Sequence, residues 1–128
     1  MMNRNHDIEG EFQLFATKSG RSTPVFSGYR PSHKIHDNYL TSAQHEYISV
    51  NQVALGETAH VKVWFITPEV YPHSLWCGRE IDVQEGKRVI GKLVITKILN
   101  KTLEGSPETY SPIWVEPNHL NPSGVVNG

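Results

Sequence analysis

Ala59-His60-Val61-Lys62-Val63-Trp64-Phe65-Ile66 alternates side-chain character residue by residue, with Ala59, Val61, Val63 and Phe65 on one face and His60, Lys62 and Trp64 on the other. A period of two is that of a half-buried β-strand, and Gly56-Glu57 before it and Thr67-Pro68 after it mark its ends. The same reading extends outward. Glu11 to Thr17 places Phe12, Leu14 and Ala16 on one face, and further strands are expected at Pro24 to Phe26, Tyr29 to His36, Tyr47 to Val50, Glu80 to Gln84 and Arg88 to Leu99. Glu85-Gly86-Lys87 reads as a hairpin connection, and Gly91 inside a long strand reads as a bulge or corner. No window of a dozen residues carries helical apolar spacing without a Gly, a Pro or a β-branched run breaking it. Many short antiparallel strands at close spacing predict an all-β barrel or sandwich, and closure into a barrel removes exposed edges.

The 128 residues match one domain, and 38% hydrophobic with 20% charged residues is the mixture of a globular chain rather than a disordered one. No apolar run approaches the ~20 residues of a membrane-spanning helix, and the polar start lacks a secretory signal, so a cytoplasmic, non-membrane protein is expected. The single Cys77 excludes an intramolecular disulfide and any Cys-rich zinc site. A net charge of -1 argues against holding nucleic acid by bulk charge, but the charge is uneven: residues 78 to 101 carry the basic surplus, and residues 102 to 128 contain three Glu and no Lys or Arg.

From Gly105 the composition turns Pro-rich, with prolines at 107, 112, 117 and 122. Five-residue spacing is not that of a PxxP ligand. Tyr110, Ile113, Trp114 and Val115 form an apolar patch that either docks on its own chain or binds a partner, and the cost of an exposed Trp favours docking. The organisation expected is an N-terminal extension over 1–9, a barrel over 10–101 and an acidic, Pro-rich extension over 102–128.

Gly20-Arg21-Ser22-Thr23-Pro24-Val25-Phe26-Ser27-Gly28-Tyr29-Arg30-Pro31 resembles, in register over twelve positions, the Gly-Arg-His-Thr-Pro-Phe-Phe-x-Gly-Tyr-Arg-Pro signature of the third, C-terminal domain of the elongation factor Tu and elongation factor 1-alpha family. Val53-Ala54-Leu55-Gly56-Glu57, Thr67-Pro68, the run from Gly78 to Gly91 and Val94 to Leu99 follow in the family's order. The resemblance implies a six-stranded antiparallel closed β-barrel. It also implies a non-catalytic binding module, because the chain has no phosphate-binding loop and no room for a GTPase domain; no enzyme activity, cofactor, nucleotide or metal is expected.

In that family the domain grips the sugar-phosphate backbone of tRNA and contacts other translation proteins. Carried over by position, Arg21, Thr41, Glu85 and Gly86 keep family residues, and Arg30 lies within the signature. Ser22, Ser32, Thr67 and Gln84 depart from it and remove at least two cations, while Lys87 adds one. A weakened site for tRNA or structured RNA is therefore implied, built from Arg21, Arg30, Thr41, Arg79, Glu85, Gly86, Lys87 and Arg88, with Arg79, Lys87 and Arg88 expected to flank one hairpin. Arg21 and Arg30 have a structural reading too, as ties to loop carbonyls. The loop from Pro68 to Gly78 is longer than the family's, and Tyr71, His73 and Trp76 on it, with Trp114, are residue types that anchor protein interfaces. The alternative function is accordingly a protein-interaction module unrelated to translation, using that loop and the tail. The histidines read as ordinary surface residues: His33 and His36, three apart on a strand, point to opposite faces, and His60, His73 and His119 lie in separate elements. Cys77, with His73 and Arg79 nearby in sequence, reads as an inert thiol.

Overall fold

The computed structural model describes residues 4–17 and 21–116. Gly20 of the signature and the tail from residue 117 on, with its prolines 117 and 122 and His119, lie outside the described residues. Eight strands are described: β1 (Ile8–Leu14), β2 (Val25–Phe26), β3 (Ser32–His36), β4 (Tyr39–Tyr47), β5 (Gln52–Val53), β6 (Thr58–Phe65), β7 (Glu80–Glu85) and β8 (Arg88–Ile98). Six of them close into an antiparallel barrel in the order β1-β6-β4-β3-β7-β8, with β8 pairing back onto β1, and β2 and β5 form a separate ribbon. No helix among the described residues is long and apolar enough to cross a membrane.

β6 has the expected alternation, with Val61, Val63 and Phe65 fully buried inside the barrel. Trp64 lies on the outer face as expected, yet it is only 9% exposed. The N-terminal segment covers it: the Arg4 carbonyl accepts the indole N–H at 2.7 Å, and the His6 ring packs 5.5 Å away. Phe12 and Leu14 from β1, Ile35 from β3, Ile81 and Val83 from β7, and Leu93 and Ile95 from β8 complete an apolar interior.

Gly91 marks where β8 crosses β1. A Cβ there would stand 2.4 Å from the Gln13 carbonyl oxygen and 2.9 Å from the Phe12 ring, so only glycine permits the approach. The expected bulge is adjacent: Val83 pairs with Gly91 and Gln84 with Val89, which leaves Ile90 as the extra residue. β7 and β8 meet in the expected hairpin, with Glu85 opposite Arg88 and Gly86 at φ 61, a conformation in the left-handed region.

Two strand expectations are corrected. The long β4 covers Tyr39–Tyr47, whereas a strand was expected only from Tyr47 to Val50; the chain instead turns after Tyr47, with Ser49 at φ 71. The signal was hidden because buried positions of β4 include Thr41 and His45, which erase apolar alternation. β1 begins at Ile8 and ends at Leu14, so Ala16 lies outside the strand and is exposed.

Packed structure also extends past the expected boundaries at residues 10 and 101. Asp7 is 1% exposed, and its carboxylate accepts from Arg4 at 2.6 Å, from the Phe65 N–H at 2.7 Å and from Asn100 at 2.9 Å. Beyond β8, a 3-10 turn at Lys101–Leu103 buries Leu103, and Leu75 bridges Glu104.

Candidate functional site

The β7–β8 hairpin gathers three of the five cations that the sequence singles out, Arg21, Lys87 and Arg88. Glu85 is the centre: one carboxylate oxygen accepts from Arg21 Nη1 at 2.5 Å and from the Tyr29 hydroxyl, and the other accepts from Arg88 Nη2 at 3.1 Å. Arg21 also donates to the Thr23 carbonyl at 3.1 Å, the Thr23 hydroxyl at 2.8 Å and the Pro24 carbonyl at 3.3 Å, and its guanidinium stands 5.3 Å from the centre of the Tyr29 ring. Planar, forked donors suit this role, and the structural reading of Arg21 as a tie between loops is thus realised.

Electrostatics follow from the geometry. Burial favours the neutral form of Glu85, but the Tyr29 hydroxyl and the Arg21 and Arg88 guanidiniums outweigh it and hold the carboxyl below its usual range. Burial, and then the adjacent Glu85 carboxylate, raise the Tyr29 hydroxyl above the ordinary tyrosine value. The Gln84 side chain, 6% exposed, donates to the Gly86 carbonyl at 3.0 Å and stiffens the turn. Lys87 at the tip is exposed and makes no hydrogen bond or ion pair with the described residues.

Three expected members of the site stand elsewhere. Thr41 is 6% exposed and its hydroxyl lies 3.1 Å from the Tyr71 hydroxyl, so it is an inner-wall residue rather than a surface contact. Arg30 is on the barrel wall, where its guanidinium holds the Gln44 side-chain oxygen at 2.8 Å. Arg79 precedes β7 and so lies at the opposite end of that strand from the Glu85–Arg88 turn; it does not flank the hairpin tip.

Arg79 belongs to a second cluster, in which the tail docks on its own chain. Its guanidinium donates to the carbonyls of Ser74 at 2.5 Å and Ile35 at 2.6 Å and to the Tyr110 hydroxyl at 3.0 Å, and it lies over the rings of Tyr110 and Trp76 at 4.4 and 5.1 Å. Tyr110 stacks on His36, which bonds the Ser111 carbonyl at 2.7 Å. Trp114 stacks on Tyr39 at 4.5 Å, donates its indole N–H to the Val70 carbonyl at 3.2 Å and exchanges two backbone bonds with the Asn38 amide.

Tyr71, expected as an interface anchor, is 1% exposed and part of the core. His73 stays at the surface, bonded through its ring to the Glu104 carbonyl at 3.0 Å, and Trp76 packs edge-on against Tyr110 at 5.4 Å. Between the 70–73 loop and the tail a cleft of about 380 Å³ remains, lined by His36, His73, Tyr110, Ile113 and Trp114 among others.

Sequence reasoning missed a buried histidine pair. His33 and His45 are both fully buried inside the barrel, with their Nε2 atoms 2.9 Å apart, and His45 Nδ1 lies 3.0 Å from the Tyr47 hydroxyl. His36 is also largely covered, so the surface reading fails for these three histidines. Alternation with Ile35 was the available signal for His33. Among the described residues no group of three or more His, Cys, Asp or Glu side chains is placed to hold a metal. The exposed Cys77 has a long contact of 3.5 Å to the Thr96 carbonyl. No protein-family model matches the chain.

Proposed function

We propose that this chain is a non-catalytic binding module of the kind its sequence resembles, the C-terminal barrel of elongation factor Tu, and that the β7–β8 hairpin end contacts the phosphate backbone of a tRNA-like stem. The observation that carries this reading is the Glu85-centred cluster. It holds Arg21 and Arg88 on one carboxylate, and the exposed Lys87 at its tip makes no hydrogen bond or ion pair among the described residues. The closed six-stranded barrel supports the reading as the fold the resemblance implies. Glu85 offsets part of the positive charge, so a weak, salt-sensitive association in the cytoplasm suits the geometry better than tight binding. No nucleotide or cofactor enters this scheme.

Titration of tRNA across a salt series tests it. Binding at low salt should weaken as salt rises, and Lys87→Ala should reduce the slope of log affinity against log salt by about one unit. Absence of binding at low salt removes the reading. The alternative, a protein-interaction module unrelated to translation, has the aromatic cleft beside the tail in its favour. Partner capture that persists without RNA and is lost on deleting residues 105 to 128 would select it.

A further inference from the structure

The barrel interior holds two titratable side chains that the hairpin site does not use. His33 on β3 and His45 on β4 face each other across 2.9 Å in a cage of rings. Phe12 from β1 meets His45 edge-on at 4.9 Å, Tyr29 meets it at 5.9 Å and Tyr47 at 5.7 Å, while Phe65 from β6 meets His33 at 5.8 Å. The titratable groups facing the pair are thus the Tyr29 and Tyr47 phenols, both kept neutral by burial. Among the described residues no carboxylate or cation pairs with either imidazole.

Proton counting shows what this arrangement permits. At 2.9 Å one Nε2 donates and the other accepts, so the pair shares a single proton along that line. His45 Nδ1 is matched by the Tyr47 hydroxyl, but His33 Nδ1 has no hydrogen-bond partner. A first extra proton would place an N–H on that unpartnered, fully buried nitrogen. A second would set two N–H groups head to head. The Thr41 and Pro31 backbone favours the first only weakly against burial, and the second sets like donors against each other, so both protonations favour separating β3 from β4 or admitting water.

We propose that the His33–His45 pair is an acid-sensitive latch: the barrel is tight while both imidazoles are neutral and opens beside them when they take up protons. The segment above the pair is where opening shows first, because the Gly28 N–H bonds the His45 carbonyl at 2.8 Å and the His45 N–H bonds the Tyr29 carbonyl at 2.8 Å. Tyr29 in turn holds Glu85, so the latch lies beneath the hairpin cluster, although the proposal does not depend on what that cluster binds.

The electrostatics agree in sign. Burial draws His33 down from its ordinary value to about 4, against a weaker upward pull from the Thr41 and Pro31 backbone, and it draws His45 well down, assisted by His33. The closed barrel therefore binds fewer protons than the open one below the ordinary histidine range. The latch is fully closed above about pH 6.5 and weakens as pH falls toward the lowered values.

The test uses the whole chain. Imidazole NMR should show two rings that stay neutral in the folded protein at pH 5. Hydrogen exchange at the Gly28 and His45 amides, corrected for intrinsic rates, should reveal an opening constant that rises between pH 7 and pH 5, approaching a hundredfold per pH unit at the lower end, where two protons are taken up on opening. His36→Gln, which removes the other depressed histidine, should leave that rise in place. His33→Met/His45→Met should flatten it, and if this variant does not fold, the unsubstituted chain decides. Either ring of the pair titrating near pH 6.5 with the barrel intact, or amide protection that does not change between pH 7 and pH 5, overturns the proposal.

Discussion

Two arginines, one at each end of β7, stand over aromatic rings, and they do opposite work. Arg21 reaches a carboxylate, Glu85, and shares it with Tyr29 and Arg88 at the surface. Among the described residues Arg79 hydrogen-bonds carbonyl oxygens and a phenol, from Ile35, Ser74 and Tyr110, and no carboxylate pairs with it directly, though Asp37 acts on it at longer range. Their electrostatics diverge accordingly. Burial lowers the Arg79 guanidinium from its ordinary value, whereas for Arg21 the pull of Glu85 overcomes burial and raises it. The contrast shows that a cation close to the charge-rich hairpin in sequence serves structure when its partners are backbone carbonyls, because those acceptors would be orphaned without it. Arg21, paired at the surface, instead has its field partly offset by Glu85.

The largest expected effect tests the structural half. Arg79→Met removes donors from the Ser74 and Ile35 carbonyls and the ring contacts that join loop, barrel and tail. Urea unfolding should show a loss of about 3 kcal/mol, since two or three charge-assisted bonds are involved. Cleavage by a protease within residues 105 to 116 should accelerate as the tail lifts. A loss below about 1 kcal/mol would place Arg79 with the surface cations after all.

Which of these roles the sequence discloses depends on where the partners lie. β6, β7 and β8 were legible because apolar residues carry their alternation, and the Glu85–Arg88 turn was legible because its parts are neighbours. Docking of Tyr110 and Trp114 followed from the cost of exposing a Trp, whereas Ile113 and Val115 of the same expected patch stay exposed. β4 was not legible, since Thr41 and His45 on its buried positions find polar partners in Tyr71 and His33 that no local pattern announces. Arg79 was misread for the same reason: its acceptors at 35, 74 and 110 come together only in the closed fold. Tyr71 looked like an interface anchor because its residue type is the same whether it faces a partner or the core.

A smaller effect separates the tail from the barrel. Trp114→Ala deletes the stack on Tyr39 and the bond to Val70 but leaves Arg79 and Tyr110 in place. A half-buried indole with one offset stack should contribute about 1–2 kcal/mol. Amide chemical shifts should move around Asn38, Tyr39 and Val70 and not at the Glu85–Arg88 hairpin. Changes spreading to that hairpin would mean that the two ends are coupled, which the separate contact networks do not predict.

The smallest effect is at the hairpin and carries a pH signature. Glu85→Gln keeps the shape but removes the charge that Arg21, Arg88 and Tyr29 share. At pH 7 the cost should be about 1 kcal/mol, modest because the pair is partly solvated. The folded carboxyl is held below its ordinary value, so its contribution is complete above about pH 4.5 and disappears as pH falls through the lowered value. Stability of the unsubstituted chain minus that of the variant should therefore shrink toward zero as pH falls through that lowered value, and the subtraction isolates this loss from that of the histidine pair, which both chains share. Binding should move the other way. With Glu85 neutral, the hairpin cations act without an opposing charge, so tRNA affinity at fixed salt should rise in the same variant that loses stability. A variant that lost both would show that Glu85 is needed to aim Arg21 and Arg88, not merely to offset them.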